Sequence, residues 1–181
     1  MSRPSARDAI LDAAQRIAAE RGVSRITLEE VARESGLSKG GLLYHFPGKE
    51  ALIQGMLERL ISHTSAVREA NEQALVGERH RTLRSLLATR SSDEVLNPHV
   101  VTAVLAAAAE QPALLDPLRE HIAGVRQQII HEAGDDPLYW LLWAAADGLL
   151  LQEVLGIAPH PAEQRDRVHQ RLLDLAEELL Q

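Results

Sequence analysis

The sequence predicts an all-α fold, with a small N-terminal three-helix module that carries a helix-turn-helix and a larger helical domain after it. Three observations point there. Apolar side chains return at three- and four-residue steps in one segment after another, the repeat of a helix face rather than a strand. Hydrophobic residues make up 45% of the 181 residues and aromatics only 3%, so the core falls to Leu and Ala, which are strong helix formers. Ser, Thr, Asp and Asn stand where helices should begin, and Gly or Pro where they should stop. A chain of this length can hold both a module and a larger domain with its own core.

Met1 to Pro4 reads as a frayed arm. Ser5 and Asp8 can cap a first helix running to about Arg21, with Ile10, Leu11, Ala14 and Ile17 as its inner face and Gly22 as its stop. Ser24 and Arg25 lie in the connection that follows. Thr27 with Glu30 three residues on forms a capping box, in which the hydroxyl takes one orphan amide and the carboxylate reaches back to another. Leu28, Val31 and Ala32 give that second helix an apolar stripe. Gly36 ends it, because the turn needs positive φ without a Cβ clash. Ser38 caps the third helix, Leu42, Leu43 and Phe46 supply its buried side, and Pro47-Gly48 stops it. Ala32, Gly36 and Leu42 have the spacing of a helix-turn-helix: a small residue at the crossing, a glycine in the turn and an apolar lock on the second helix. A linking helix then runs from about Gly48 to Asn71.

At these residues the chain resembles the tetracycline-repressor (TetR) family of bacterial transcriptional regulators. The resemblance covers roughly residues 7 to 60 and rests on several parts together: RDAILDAAQRIAAERG, the Thr27 start, GLSKG, and LLYHFPGKEAL. It implies a two-domain, all-helical homodimer, with a DNA-binding domain at 1–47 and a ligand-binding and dimerisation domain at 48–181. Such a dimer binds double-stranded operator DNA and releases it when a small-molecule effector enters the second domain.

The resemblance also implies roles by motif position. The third helix, Ser38, Lys39, Gly40, Gly41, Leu42, Leu43, Tyr44 and His45, lays its exposed side in the major groove. Lys39 is suited to guanine O6/N7. Tyr44, His45, Lys49 and the Thr27 hydroxyl are suited to phosphates. Gly40 and Gly41 each cost roughly 1 kcal/mol in a helix, which fits either a close approach of backbone to DNA or a loose first turn. Leu43 stands where many members have tyrosine; without that hydroxyl it offers apolar contact, as to a thymine methyl. Arg3 and Arg7 can reach phosphates or stand as solvated charge.

Beyond the linking helix the family pattern fades. Helices are expected near 78–90, 98–110, 112–133, 137–156 and 161–180, punctuated at Asn97-Pro98, Gln111-Pro112, Gly134–Pro137 and Gly156–Pro159. Ser91 to Glu94 reads as a mobile loop, and Ala106 to Ala109 as a place for close helix crossing. On the helix opening at Pro137, Trp140, Trp143, Asp147, Leu150, Leu151 and Val154 form a wide apolar face with one carboxylate in it. Trp140, Trp143 and Asp147 are therefore the candidate ligand-binding residues, with two other readings open: plain core for the rings, and pairing with an arginine such as Arg126 for Asp147. Arg119 and Arg126 suit an anion or surface ion pairs. Leu141, Ala144, Ala145, Gly148, Gln152 and Leu155 make a second face. With Leu172, Leu175 and Leu179 of the last helix, they form the dimer interface that the resemblance implies: a four-helix contact that spaces two reading heads about one DNA turn apart.

Composition narrows the function classes. Cysteine is absent, which excludes disulfides, thiol nucleophiles and thiolate metal sites. Net charge is −7, yet residues 1–50 hold eight Lys/Arg against seven Asp/Glu, and the remainder eleven against nineteen. The acidic excess thus lies outside the module expected to face DNA. No run of signal-peptide or membrane-spanning type is present, so a cytoplasmic location without membrane association is expected. Catalysis finds no support. His131-Glu132 opens like a zinc-protease motif, but Asp135 stands where its second histidine belongs, and there is neither a nucleophile elbow nor a phosphate loop. No enzyme activity, metal or cofactor is expected. The alternative function is a helical protein-interaction module with a degenerate helix-turn-helix.

Overall fold

Capping side chains set most of the helix starts. The computed structural model describes residues 5–22, 25–92 and 96–180; the expected arm with Arg3, Ser24, and Asp93-Glu94 of the expected loop lie outside them. The helices are α1 (Ala6–Arg21), α2 (Leu28–Ser35), α3 (Lys39–His45), α4 (Lys49–Ala74), α5 (Arg81–Arg90), α6 (Pro98–Glu110), α7 (Asp116–Ala133), α8 (Pro137–Val154) and α9 (Arg165–Leu179), with no strand among the described residues. Ser5, Thr27, Ser38, Asn97 and Asp136 each accept a first-turn amide at 2.8–3.3 Å. The capping box at Thr27 is half of what was expected. Its hydroxyl accepts the Glu30 amide at 3.2 Å, whereas the Glu30 carboxylate is drawn to Arg33 and stands 3.9 Å from Arg21.

Four helices, α4, α5, α7 and α9, differ at their ends from the sequence reading. α5 starts at Arg81 rather than 78, after His80 in the left-handed region (φ 54°). Short 3₁₀ turns, Pro112–Leu115 and Ala162–Gln164, precede α7 and α9. α4 runs on to Ala74 in one piece.

Packing divides the chain into two compact units. The first holds α1–α3, α4 as far as Leu60, and residues 97–118; the second holds 61–96 and 119–181. Within the first, α6 returns to lie on α1.

In the first unit Ile10, Leu11 and Ile17 of α1 are buried, as are Ile26, Val31, Leu42, Leu52 and Met56, all of them apolar. Each such side chain contributes about 1.5–3 kcal/mol on burial. Gly55 admits the Phe46 ring to α4. A Cβ there would lie 2.6 Å from Phe46 Cε1 and 3.4 Å from Leu11 Cδ2. Phe46 follows α3 directly, so this contact fixes where α3 ends.

The second unit centres on Leu83, Leu86 and Leu87 of α5, Val125 and Ile129 of α7, Tyr139, Leu142, Trp143 and Ala146 of α8, and Leu172 and Ala176 of α9. Beside this core it buries polar groups: Thr64 and Arg68 on α4, Thr82, Ser85 and Thr89 on α5, and His169 on α9. No described helix is long and apolar enough to cross a membrane.

Candidate nucleic-acid interface

The sequence puts one anchor under α3 and leaves the rest of the helix outside. Leu42 is fully buried, Gly36 makes the turn at φ 72°, and Ser38 caps the start. What remains faces solvent. Lys39, Gly40 and Tyr44 are exposed, Tyr44 to 85%, and so are Thr27, Ser38 and Lys49; Leu43, expected on the buried side, is exposed as well, since Leu42 beside it takes the inward position. Gly41 and His45 are half-buried, and the His45 ring meets Tyr44 edge-on at 5.2 Å. A Cβ on Gly40 would meet nothing within 4 Å, whereas one on Gly41 would lie 3.3 Å from Ser38 Oγ. Gly40 therefore answers to no intramolecular packing demand. Thr27 and Ser38 accept capping amides, which leaves their O–H groups free to donate outward.

Charges around this surface are arranged in pairs. Arg16 and Arg21 both reach Glu34 at 3.4 Å. Arg7 pairs with Glu58 at 3.0 Å and lies over the Phe46 ring. Lys39 is also engaged: its Nζ donates to Glu29 Oε1 at 2.6 Å. That hydrogen bond, with help from a backbone amide, holds the Glu29 carboxyl below its ordinary value. The sequence reading missed Glu29. It precedes Lys39 by ten residues, and only the turn at Gly36 brings the two together.

The second-unit candidates are placed differently. Trp143 is 8% exposed and belongs to the core of α5, α7, α8 and α9. Trp140 is half-buried; its Nε1 donates to Asp135 at 2.8 Å, and Arg126 stacks on its ring at 5.2 Å. Asp147 pairs with Arg90 of α5, which donates through Nε at 2.6 Å. Arg126, the partner considered from sequence, goes to Asp135 at 3.2 Å instead. The three side chains thus belong respectively to the core, to an arginine-capped surface ring and to an ion pair. His121 is pulled below its ordinary value by burial and then by the charges of Arg68 and Arg90, so two guanidiniums act on one half-buried imidazole.

On the expected dimer face, Leu141, Ala144, Ala145, Leu155 and Leu179 are exposed, and Gly148, Gln152 and Leu175 are half-buried. Leu172 departs from the expectation: at 8% exposure it lies in this chain's own core. The stripe of α9 that faces inward is His169, Leu172 and Ala176, continued by Leu180 just past the helix end. An open groove of about 960 Å³ runs along α9, with Leu149, Val168 and Leu175 in its wall.

The comparisons agree with this geometry. The bacterial regulatory protein, tetR family, model matches residues 10–56, and the tetracyclin repressor-like C-terminal domain model matches residues 80–177. The HTH-type transcriptional regulator TtgR of Pseudomonas putida is 39% identical over 51 residues. That match covers 28% of this chain and 24% of TtgR, so only about a quarter of the relative is spanned. A transcriptional regulator from Streptomyces coelicolor A3(2) is 25% identical with a TM-score of 0.68, covering 94% of this chain and 99% of that one. The multidrug binding protein EbrR, complexed with malachite green, is 26% identical with a TM-score of 0.66, covering 93% and 98%. An exposed, singly anchored α3 above a dry core, joined to a second helical unit, defines a helix-turn-helix regulator. The chain belongs to the TetR family, with the family's N-terminal regulatory module followed by its repressor-like C-terminal domain.

Proposed function

We propose that the chain is a cytoplasmic repressor that binds a palindromic operator as a homodimer and leaves it when a small apolar or amphipathic effector enters the second domain. The observation that carries the reading is α3 itself, with Leu42 wholly buried and Lys39, Leu43 and Tyr44 exposed. Lys39 reads base edges, Leu43 offers an apolar contact, and Tyr44, His45, Lys49, Thr27 and Ser38 hold phosphates. Backbone at Gly40 and Gly41 comes close to the duplex. In chain organisation the DNA-binding domain is taken as 1–47 and the effector and dimerisation domain as 48–181.

Dimerisation is supported by the exposed apolar residues of α8 and α9, Leu141 at 68% and Leu179 at 53% among them. Two copies closing that face would join two α3 helices in one assembly, as an operator of two half-sites requires. The effector class is supported by EbrR, whose name is multidrug binding protein, and by the polar interior of the second unit. Asp147 is the candidate polar anchor there, reached by a ligand that parts it from Arg90, with Trp140 and Trp143 as neighbouring rings. Effector binding swings α4 and misplaces the reading heads. Moving such an equilibrium from 1:99 to 99:1 takes about 5.5 kcal/mol of preference for the DNA-incompetent form.

Band-shift titration against duplexes recovered from a randomised pool tests the reading. Affinity should fall steeply with added salt as counterions are reclaimed. Absence of duplex binding at low salt would leave the interaction-module alternative standing. Spin labels on two N-terminal modules should separate with effector, and an unchanged distance with DNA binding lost would remove the swing.

A further inference from the structure

The Glu29–Lys39 pair is out of place on a surface built to meet a polyanion. Its two side chains are 66% and 59% exposed, and an ion pair so exposed adds little to the stability of the fold. Glu30 and Glu34 of the same helix are held by arginines of α1 and α2, whereas Glu29 meets the first residue of α3. The pair therefore neutralises the one lysine on the reading helix. A carboxylate brought close to phosphates is repelled on every sequence, and the charge lowers affinity uniformly unless something in the groove compensates it. In the major groove the group that prefers a carboxylate is an exocyclic amine, cytosine N4 above all.

We propose that Glu29 is a second base-reading residue: it accepts a hydrogen bond from cytosine N4 while Lys39, held beside it at 2.6 Å, donates to guanine O6/N7 at a neighbouring base pair. The inference rests on α3 entering the major groove. Duplexes without a suitably placed cytosine leave the carboxylate uncompensated and are rejected, so specificity comes from α2 as well as α3. The same acid that weakens binding to random duplex sharpens the choice of operator.

The test is selection of bound duplexes from a randomised pool by the full chain, as wild type, Glu29→Ala and Glu29→Gln, followed by band-shift titration on the recovered sites. Wild type should recover a cytosine in each half-site, and replacing it should weaken binding about five- to hundredfold. Glu29→Ala should lose that preference alone and bind random duplex more tightly. Glu29→Gln should move the preference to adenine, whose N6/N7 edge an amide matches. Melting temperatures should stay unchanged, since the pair is exposed. One common motif in all three proteins, with affinities shifted by the same factor on every sequence, would reduce Glu29 to a solvated partner of Lys39 and overturn the proposal. Recovery of no motif by the wild type would overturn the groove-binding reading itself, which the first outcome leaves intact.

Discussion

The two packing units of this chain solve opposite problems. In the first, every buried side chain among the described residues is apolar, and Lys39, Leu43 and Tyr44 lie on the outside of one short helix. In the second, Arg68, Thr82, Ser85, Thr89 and His169 are buried, and an ion pair joins α5 to α8. Buried polar groups cost stability unless they are hydrogen-bonded, so these must keep partners in every state. Ser85 and Thr89 bond back to their own helix, and Asn71 donates to Thr89 at 3.0 Å. A unit that reads a rigid polymer gains from a dry core that holds its surface still. One that answers a small molecule gains from interior groups able to change partners.

Trp143→Ala breaks this contrast most severely. As a core ring between α5, α7 and α9, Trp143 should cost about 3–5 kcal/mol when truncated, read as the shift in urea unfolding. A loss below about 1 kcal/mol would mean that the ring faces a space a ligand can fill, and would return it to the effector site. Asp147→Ala should cost less, because that side chain is 44% exposed, although it strands Arg90 at 13%.

In the first unit, Gly55→Ala tests whether the dry core fixes α3. The added methyl collides with the Phe46 ring, a cost of about 1–3 kcal/mol, against a helix-propensity gain of about 1 kcal/mol. The net should be a lower melting temperature and weaker DNA binding, because Phe46 must shift the end of α3. Gly40→Ala is the matching control. With open space around it, it should raise the melting temperature yet weaken DNA binding. Unchanged binding would assign Gly40 to a loose first turn and remove the close-approach reading.

The units also differed in how far the sequence revealed them. The helix-turn-helix was legible because its determinants are local: Thr27, Gly36, Ser38 and Leu42 act within a few residues of one another. Even there, Glu29 escaped notice, since its nearness to Lys39 depends on the angle of the turn. In the second unit partner choice was beyond reach. Asp147 meets Arg90, 57 residues away, and nothing in the period of α8 says that α5 lies beside it. Leu172 was placed on the wrong side of α9 for a related reason. His169 occupies an inward position, with its Nε2 2.7 Å from Glu153 Oε1, and a polar residue there masks the apolar stripe that faces the core.

A smaller effect is expected where α7 caps α5. With His80 giving no side-chain cap, the Glu132 carboxylate accepts the amides of Arg81 and, at 3.0 Å, Thr82. Burial pushes this carboxyl up, but those hydrogen bonds and the charge of Arg81 outweigh it and hold it below its ordinary 4.5. A lowered folded value means that the stabilisation is fully present above pH 4.5 and is lost as pH falls through the folded value. Glu132→Gln should therefore cost roughly 0.5–1 kcal/mol at neutral pH, with the gap to wild type closing on acidification below 4.5. A gap that stays constant with pH in urea titrations would show that the charge plays no part in the cap.

Lys49→Ala should have the mildest consequence and sharpens the contrast from the outside. Lys49 is exposed at the first turn of α4, so its loss should leave the melting temperature alone. If it meets a phosphate, binding should weaken evenly across sequences, and the slope of log K against log salt should become shallower by about 0.9. Lys39→Ala differs in kind: if its ammonium reads a base edge as proposed, its loss should flatten preference at one base pair while Glu29 remains. A sequence-dependent loss for Lys49→Ala, or a uniform one for Lys39→Ala, would exchange their roles and move the reading edge of the module from α3 to the start of α4.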